Sequence, residues 1–285
     1  MTKICDLHTH SIYSDGTYTP SEIIDAAIGI GLSAVALCDH NTIDGLYDFL
    51  SAAEGKSIEA VAGAEFSVDY EGTELHLLGL YIPKDRFEDI TNIMTSVSAR
   101  KEQSNINLVN SLNKDGYLID YDTIKSKSPN GKINRAHIAA ELTNLGYTGS
   151  IKQAFDTLLS PEAGHYTEPE RLNVFDMIKY IKGIGAVPVL AHPFLNLTED
   201  RLKSFLSKAT QAGLKGMECY YSLYDQETTE KALKISNDFG VLPSGGSDFH
   251  GTNKPDIMLG VGRGNLCTPF EWALELKKSA GNCSF

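Results

Sequence analysis

Imidazole and carboxylate side chains stand where apolar, strand-like runs end, from Asp6-Leu7-His8-Thr9-His10 near the start to Gly246-Ser247-Asp248-Phe249-His250 near the end. That pattern constrains the chain to a fold that gathers many strand ends in one place, because α/β architectures carry their functional groups at the carboxyl edge of the sheet. His8 and His10 are two residues apart, so on a strand both project from one face and can grip one ion together. Asp39-His40, Glu65 and Ala191-His192-Pro193 each close a further apolar run, His76 lies inside another, and Asp248 and His250 repeat the spacing of two. Singly, each has a plain alternative: a structural or solvent-facing histidine, or an Asx turn for Asp15 in Ser14-Asp15-Gly16-Thr17. One shared site for two or three divalent ions accounts for all of them together.

Mixed histidine and carboxylate ligation without thiolate suits manganese, iron or zinc, and admits magnesium only with waters completing its shell. Two ions about 3.5–4 Å apart can generate a bound hydroxide and clamp a phosphoryl group during in-line displacement. Hydrolysis of a phosphate ester is therefore the expected chemistry.

Composition narrows the partners. With 285 residues and 42% hydrophobic content the chain can bury a full core. Its net charge of −12, from 37 acidic against 25 basic residues, repels a nucleic-acid backbone at long range and argues against duplex DNA. A phosphorylated ligand must then be held locally, by metals and a few Arg or His. No apolar run reaches membrane-spanning length and the first histidine motif begins at residue 6, so no membrane partner or leader is expected and the chain reads as cytoplasmic. Cys5, Cys38, Cys219, Cys267 and Cys283 show no Cys-x-x-Cys spacing and read as free thiols.

Strand-like and helix-like runs alternate, which predicts parallel β/α units. Strands are expected over residues 3–7, 33–38, 58–64, 186–190, 216–220 and 241–244. Helices are expected over 20–31, with Ser21 near the cap, and over 43–53, 174–183, 198–212 and 226–239. Residues 66–70 and 75–82 flank Glu71-Gly72-Thr73 as a hairpin. Helical spacing over 86–113 fits one long helix or two, and short helices are expected over 135–145 and 150–159. Residues 101–166 thus read as a helical insertion covering the substrate pocket of a barrel formed by 1–100 and 167–285.

Read together, Asp6-Leu7-His8-Thr9-His10-Ser11, Asp39-His40-Asn41-Thr42, Ala191-His192-Pro193 and Gly246-Ser247-Asp248-Phe249-His250 resemble the polymerase and histidinol phosphatase (PHP) family, and Gly63-Ala64-Glu65-Phe66 resembles its segment with a bridging glutamate. The resemblance spans residues 6–250 and implies a distorted (β/α)7 barrel of TIM-like kind, with two or three metals, manganese foremost, at the strand ends. It implies a first metal on His8, His10, Glu65 and Asp248, a second on Glu65, His76 and His192, and a third on Asp15, His40 and His250, with Asp15, His40, His192 and Asp248 also serving catalysis. Where Asp15 stands, many relatives have histidine. The segment Ile133-Asn134-Arg135-Ala136-His137-Ile138-Ala139, with Gly164-His165-Tyr166, resembles the branch acting on 3′,5′-bisphosphonucleotides or on the 5′ end of short oligoribonucleotides. On that footing Arg135 and His137 bind the phosphate that is not cleaved, while His165, Glu218 and Tyr220 contact substrate. Arg135 has the alternative of simply capping an insertion helix. A phosphatase for histidinol phosphate or another small molecule, and a non-catalytic PHP binding domain, are the competing functions.

Overall fold

The computed structural model describes residues 3–128 and 133–281; Met1, Thr2 and Cys283 lie outside them. Eight strands are formed: β1 Cys5–Thr9, β2 Ala34–Leu37, β3 Glu59–Tyr70, β4 Thr73–Leu80, β5 Leu172–Asn173, β6 Val187–Leu190, β7 Gly216–Tyr221 and β8 Leu242–Gly246. Their order is β1-β2-β3-β4-β6-β7-β8, with the two-residue β5 pairing only with β3. Every ladder is parallel except the two that β4 makes, with β3 and with β6. The two edges meet: Asp248 N donates to His8 O and His10 N donates to Phe249 O, both at 2.9 Å. The result is a nearly closed seven-stranded barrel of the expected α/β class.

The β3–β4 turn is a two-residue loop, Glu71 and Gly72, with φ of 51° and 78°. Positive φ at both central positions matches the twist of a tight hairpin. The expected break at Glu65 does not occur. Residues 59–62 pair with β2 and 63–70 with β4, so one continuous strand carries both ladders and Glu65 sits inside it. The helix Pro20–Gly29 is capped by Thr19 rather than Ser21, through a reciprocal pair in which Thr19 Oγ1 accepts from Glu22 N and Thr19 N donates to Glu22 Oε2. A C-terminal helix, Phe270–Ser279, was not anticipated; its Ala273 and Leu276 join the barrel core.

That core runs by twos along the strands: Ala34, Ala36 and Cys38; Leu78 and Leu80; Val187, Val189 and Ala191. Period-two alternation puts each set on one face. Continuing it carries β2 on to His40, Val61 on to Glu65, and Leu80 and Leu78 back to His76. The metal-ligand candidates therefore extend the inward face beyond the apolar layer.

At the seam, Gly246 has no room for a side chain. A Cβ there would lie 2.4 Å from His8 Cβ and 2.5 Å from His8 N. Gly246→Ala should therefore destabilise by about 1–3 kcal/mol, the usual cost of overpacking. A melting curve within a degree of the parent would refute the seam's tightness.

Of the described residues, 3–94 with 172–281 form one compact unit and those within 95–171 the other. The first limit falls inside the helix Phe87–Lys114, rather than near residue 100, and the helix runs unbroken through the polar stretch 98–105. The second unit packs Leu108, Leu112, Ile138, Leu142 and Leu159 into its own core. Besides Arg135–Asn144 it contains Tyr121–Lys127, a seven-residue helix capped by Asp120, and Ile151–Ala154 running into a π-helical turn, Phe155–Leu159. Among the described residues no helix is long and apolar enough to cross a membrane.

Candidate metal centre

Glu65 is the hub. It is fully buried, and five imidazoles converge on it. Oε1 lies 2.7 Å from His76 Nδ1 and 3.0 Å from His192 Nε2; Oε2 lies 2.9 Å from His40 Nδ1, 3.3 Å from His8 Nε2 and 3.4 Å from His10 Nε2. Asp248 Oδ1 faces the same space, 3.2 Å from His10 Nε2 and 3.7 Å from His8 Nε2. On the outer side, Asp15 Oδ1 is 3.2 Å from His250 Nε2, and Asp15 is 3.9 Å from both His10 Nδ1 and His40 Nε2. All nine residues expected as metal ligands thus lie in one cluster. His40 stands between the groups, one ring nitrogen toward Glu65 and the other toward Asp15.

Three local devices aim these side chains. In β1 the register against β2 shifts between Asp6 and Thr9, which moves the inward face from Cys5 and Leu7 to His8 and His10. His192 follows Ala191, already inward, so strict alternation would turn it away; a φ of 24° swings it back. Asp248 likewise has a φ of 57°. Left-handed backbone at non-glycine residues costs on the order of 1–3 kcal/mol and is tolerated where the surroundings enforce it. At Asp248 buried Asp6 enforces it by gripping the preceding Ser247, at His192 Glu218 accepts the backbone N–H, and a further buried carboxylate, Asp39, holds the loop after His10. Asp6 Oδ1 accepts from His8 N at 3.2 Å and Ser247 N at 2.9 Å, and Asp6 Oδ2 accepts from Gly260 N at 2.8 Å. Asp39 Oδ1 accepts from Ser11 N at 2.7 Å and its Oδ2 from Ser11 Oγ at 2.6 Å. Burial pushes both carboxyls up. They organise loops rather than line the site, although each stands within a histidine motif.

The electrostatics fit a cation. His8 Nε2, both ring nitrogens of His10 and Glu65 Oε2 are buried without a hydrogen-bond partner. Orphaned buried polar atoms are costly and uncommon in native proteins. His250 Nδ1 donates to Asp248 O at 2.8 Å, leaving its Nε2 lone pair toward Asp15. Lone pairs facing carboxylate oxygens repel unless positive charge lies between them. Burial holds His10 down at about 3, so it is a neutral donor at physiological pH. Burial opposes ionisation of Glu65, yet His8, His76 and His40 hold it well below the usual carboxylate range, and Asp248 is held low beside His10 and His8 in the same way. These donors suit divalent ions, with Glu65 placed to bridge.

The substrate-contact expectations fare differently. Tyr220 packs its ring against Trp272 of the helix Phe270–Ser279, centroids 4.8 Å apart and planes tilted by 60°, and the neighbouring Tyr221 enters the centre. Tyr221 Oη donates to Asp248 Oδ2 at 3.0 Å, and its ring lies 5.1 Å from that of His192. The cause is a bulge: Glu218 pairs with Ser244 but Tyr220 with Gly245, so Cys219 is an extra residue and the inward face passes from Glu218 to Tyr221. Sequence alternation cannot reveal such an insertion. Glu218 itself has no exposed surface and spends its oxygens on His8 Nδ1 and His192 N, so it is not an open substrate contact. Lys254, which the sequence reading missed, donates to Asp248 Oδ2 at 2.7 Å. Tyr221→Phe should therefore lower kcat/KM about tenfold, the worth of a hydrogen bond to a charged group. Tyr220→Phe should stay within about twofold. Steady-state kinetics on both variants check this, and a larger loss for Tyr220→Phe would reverse the assignment.

Within its own unit, Arg135 opens the helix Arg135–Asn144, stacks over Tyr166 at 4.1 Å and donates from Nη1 to Leu159 O at 3.2 Å. His137 shares the cap of that helix with Asn134, and His165 Nδ1 lies 3.1 Å from Ser111 Oγ. Cys5, Cys38 and Cys219 are buried, with thiols pushed up by burial, so they serve as apolar packing rather than ligands; Cys267 is exposed.

Comparison with known proteins matches residues 6–168 to the PHP domain. A 5′-3′ exoribonuclease of Haemophilus influenzae is 31% identical over 88% of this chain and 91% of its own length. A 3′,5′-nucleoside bisphosphate phosphatase of Chromobacterium violaceum is 28% identical over 86% of each. A provisionally assigned metal-dependent phosphoesterase of Bifidobacterium adolescentis, of known structure, superposes with a TM-score of 0.73 at 26% identity, covering 98% of this chain and 97% of that one.

Proposed function

The chain belongs to the PHP domain family of metal-dependent phosphoesterases, and we propose that it hydrolyses the 3′-phosphoester of 5′-phosphorylated nucleotides, either a 3′,5′-bisphosphonucleotide or the first linkage of a short oligoribonucleotide. The observation that carries the hydrolytic reading is Glu65, one buried carboxylate ringed by five imidazoles with orphaned nitrogens turned inward. Divalent ions bound there supply an activated water and charge neutralisation for the phosphoryl oxygens. The chain's own residues do the rest. Glu65 and Asp248 hold negative charge against the imidazoles, Tyr221 and Lys254 restrain Asp248, and Asp15 offers a half-exposed carboxylate at the outer edge.

The nucleotide reading rests on the named relatives. A bisphosphate phosphatase and a 5′-3′ exoribonuclease look unlike by name but share chemistry: each can work by recognising a 5′-phosphorylated nucleoside and cleaving the ester on its 3′ oxygen. In one case the leaving group is that nucleoside and the product is inorganic phosphate; in the other the remaining RNA carries the new end. Manganese is the ion we propose, and the acidic surface, net −12, is consistent with short rather than duplex substrates.

Protein stripped of metal and reloaded with manganese should release phosphate from adenosine 3′,5′-bisphosphate and mononucleotides from a short 5′-phosphorylated RNA, but not phosphate from histidinol phosphate. Turnover of histidinol phosphate alone overturns the substrate class and keeps the metal site; silence on all three favours a binding domain. We further propose that Arg135 discriminates by charge. Arg135→Ala should raise KM for the bisphosphate about tenfold, as loss of a charge-assisted contact does, and spare a simple aryl phosphate. Equal losses on both substrates would remove Arg135 from specificity.

A further inference from the structure

Glu218 is wholly buried on β7 beneath the centre, and its two oxygens have different tasks. Oε1 lies 3.0 Å from His8 Nδ1; Oε2 accepts from the backbone N–H of His192 at 2.7 Å. The two histidine rings it joins are stacked, centroids 5.7 Å apart and planes 18° apart. We propose that Glu218 is a positioning residue that places the proton of His8 on Nδ1 and pins the left-handed turn of His192, so setting how these two ligands of the centre stand toward each other. This inference rests on the reading of the centre as a metal site.

The argument is one of donors and acceptors. A carboxylate only accepts, so the hydrogen between it and His8 belongs to Nδ1. The His8 Nε2 lone pair is then directed toward Glu65 Oε2, 3.3 Å away, where a cation needs it. Hydrogen-bonded partners of this kind fix the tautomer and orientation of metal-binding histidines. At the other end, His192 has a φ of 24° and a ψ of 57°, and the acceptor of its N–H is this same side chain. Glu218 thus reaches both histidines on the sides turned away from Glu65.

Glutamine at this position separates the proposal from simple packing. It keeps the volume but has one acceptor and a donating amide. The backbone N–H of His192 cannot change role, so it takes the oxygen. The amide NH2 then faces His8 Nδ1 and drives the His8 proton to Nε2, the atom that should face the metal.

The test measures, on wild type, Glu218→Gln and Glu218→Ala, the His8 tautomer by long-range nitrogen-15 correlation NMR of metal-free protein at alkaline pH where the ring is neutral, manganese affinity by equilibrium dialysis, and thermal melting. We expect the wild type to carry its His8 proton on Nδ1. Glu218→Gln should carry it on Nε2 and bind manganese about 10–100-fold more weakly, the range for outer partners of metal ligands. A wild-type His8 protonated on Nε2, or a folded Glu218→Gln with unchanged tautomer and affinity, overturns the proposal. Should both variants fail to fold, the wild-type tautomer alone decides it. Wild type that binds no divalent ion sinks the metal-site reading instead, and the tautomer measurement keeps that failure distinct.

Discussion

Replacing Glu65 by glutamine should abolish turnover, by on the order of 10³-fold or more, and strip the centre of most of its metal. Loss of a mere outer partner of a ligand costs about 10–100-fold, so loss of a bridging ligand must exceed it. The substitution is nearly isosteric, which matters because Glu65 lies inside a continuous strand and its own backbone pairs with Leu78 of β4 on one side and with Asp39 and Asn41 on the other. Packing should therefore survive, and melting should move far less than activity. Removing the negative charge leaves five imidazoles whose nitrogens lie within 3.4 Å of an uncharged amide, with Asp248 at one side of the cluster as the remaining carboxylate facing a cation at its middle. Elemental analysis beside kinetics is the check. A Glu65→Gln protein that keeps full metal content and rate would dismantle the site as described.

Removal of the metal should both silence the enzyme and lower its melting temperature, and the size of that thermal shift should grow with pH. An ion held at 100 times its dissociation constant stabilises by about 2.7 kcal/mol, which is roughly 5–10 °C for a chain of this class. The pH dependence follows from His76. Burial pushes this imidazole down, but the neighbouring Glu65 outweighs burial and holds it up at about 10 in the metal-free protein. A folded value above the unfolded one of about 6.5 means the contribution is fully present below about 6.5 and is lost as pH rises toward 10. Metal binding needs the neutral ring and releases that proton, so affinity rises over the same interval. Between pH 6 and 9 the metal-free form should weaken while the loaded form holds. A metal-induced shift that is flat across that range would mean that the proton on His76 is not displaced by a cation.

Much of this was legible before folding because the relevant signals are local. An imidazole or acid after an apolar run marks a strand end, as at His40, and the run holding His76 likewise supplies a residue of the centre. The hairpin at Glu71-Gly72 was visible because a two-residue mirror turn demands positive φ. The single strand through Glu65 was not, since Gly63 and Ala64 look like a strand's end when its change of partner from β2 to β4 is unknown.

The chain's residues by themselves determined which side chains form the centre, that carboxylates and imidazoles would share it, and that an α/β barrel would gather them. Tertiary structure decided what each side chain does there. A register shift turns His8 and His10 inward, a bulge at Cys219 exchanges Tyr220 for Tyr221, and the closing of β8 on β1 puts Gly246 hard against His8. It also made Glu218 a brace between two histidines rather than a surface for substrate. The physical reason is common to all four: a bulge or a strand-to-strand contact is set by pairing with a distant segment, and one residue of slip reverses every side chain beyond it.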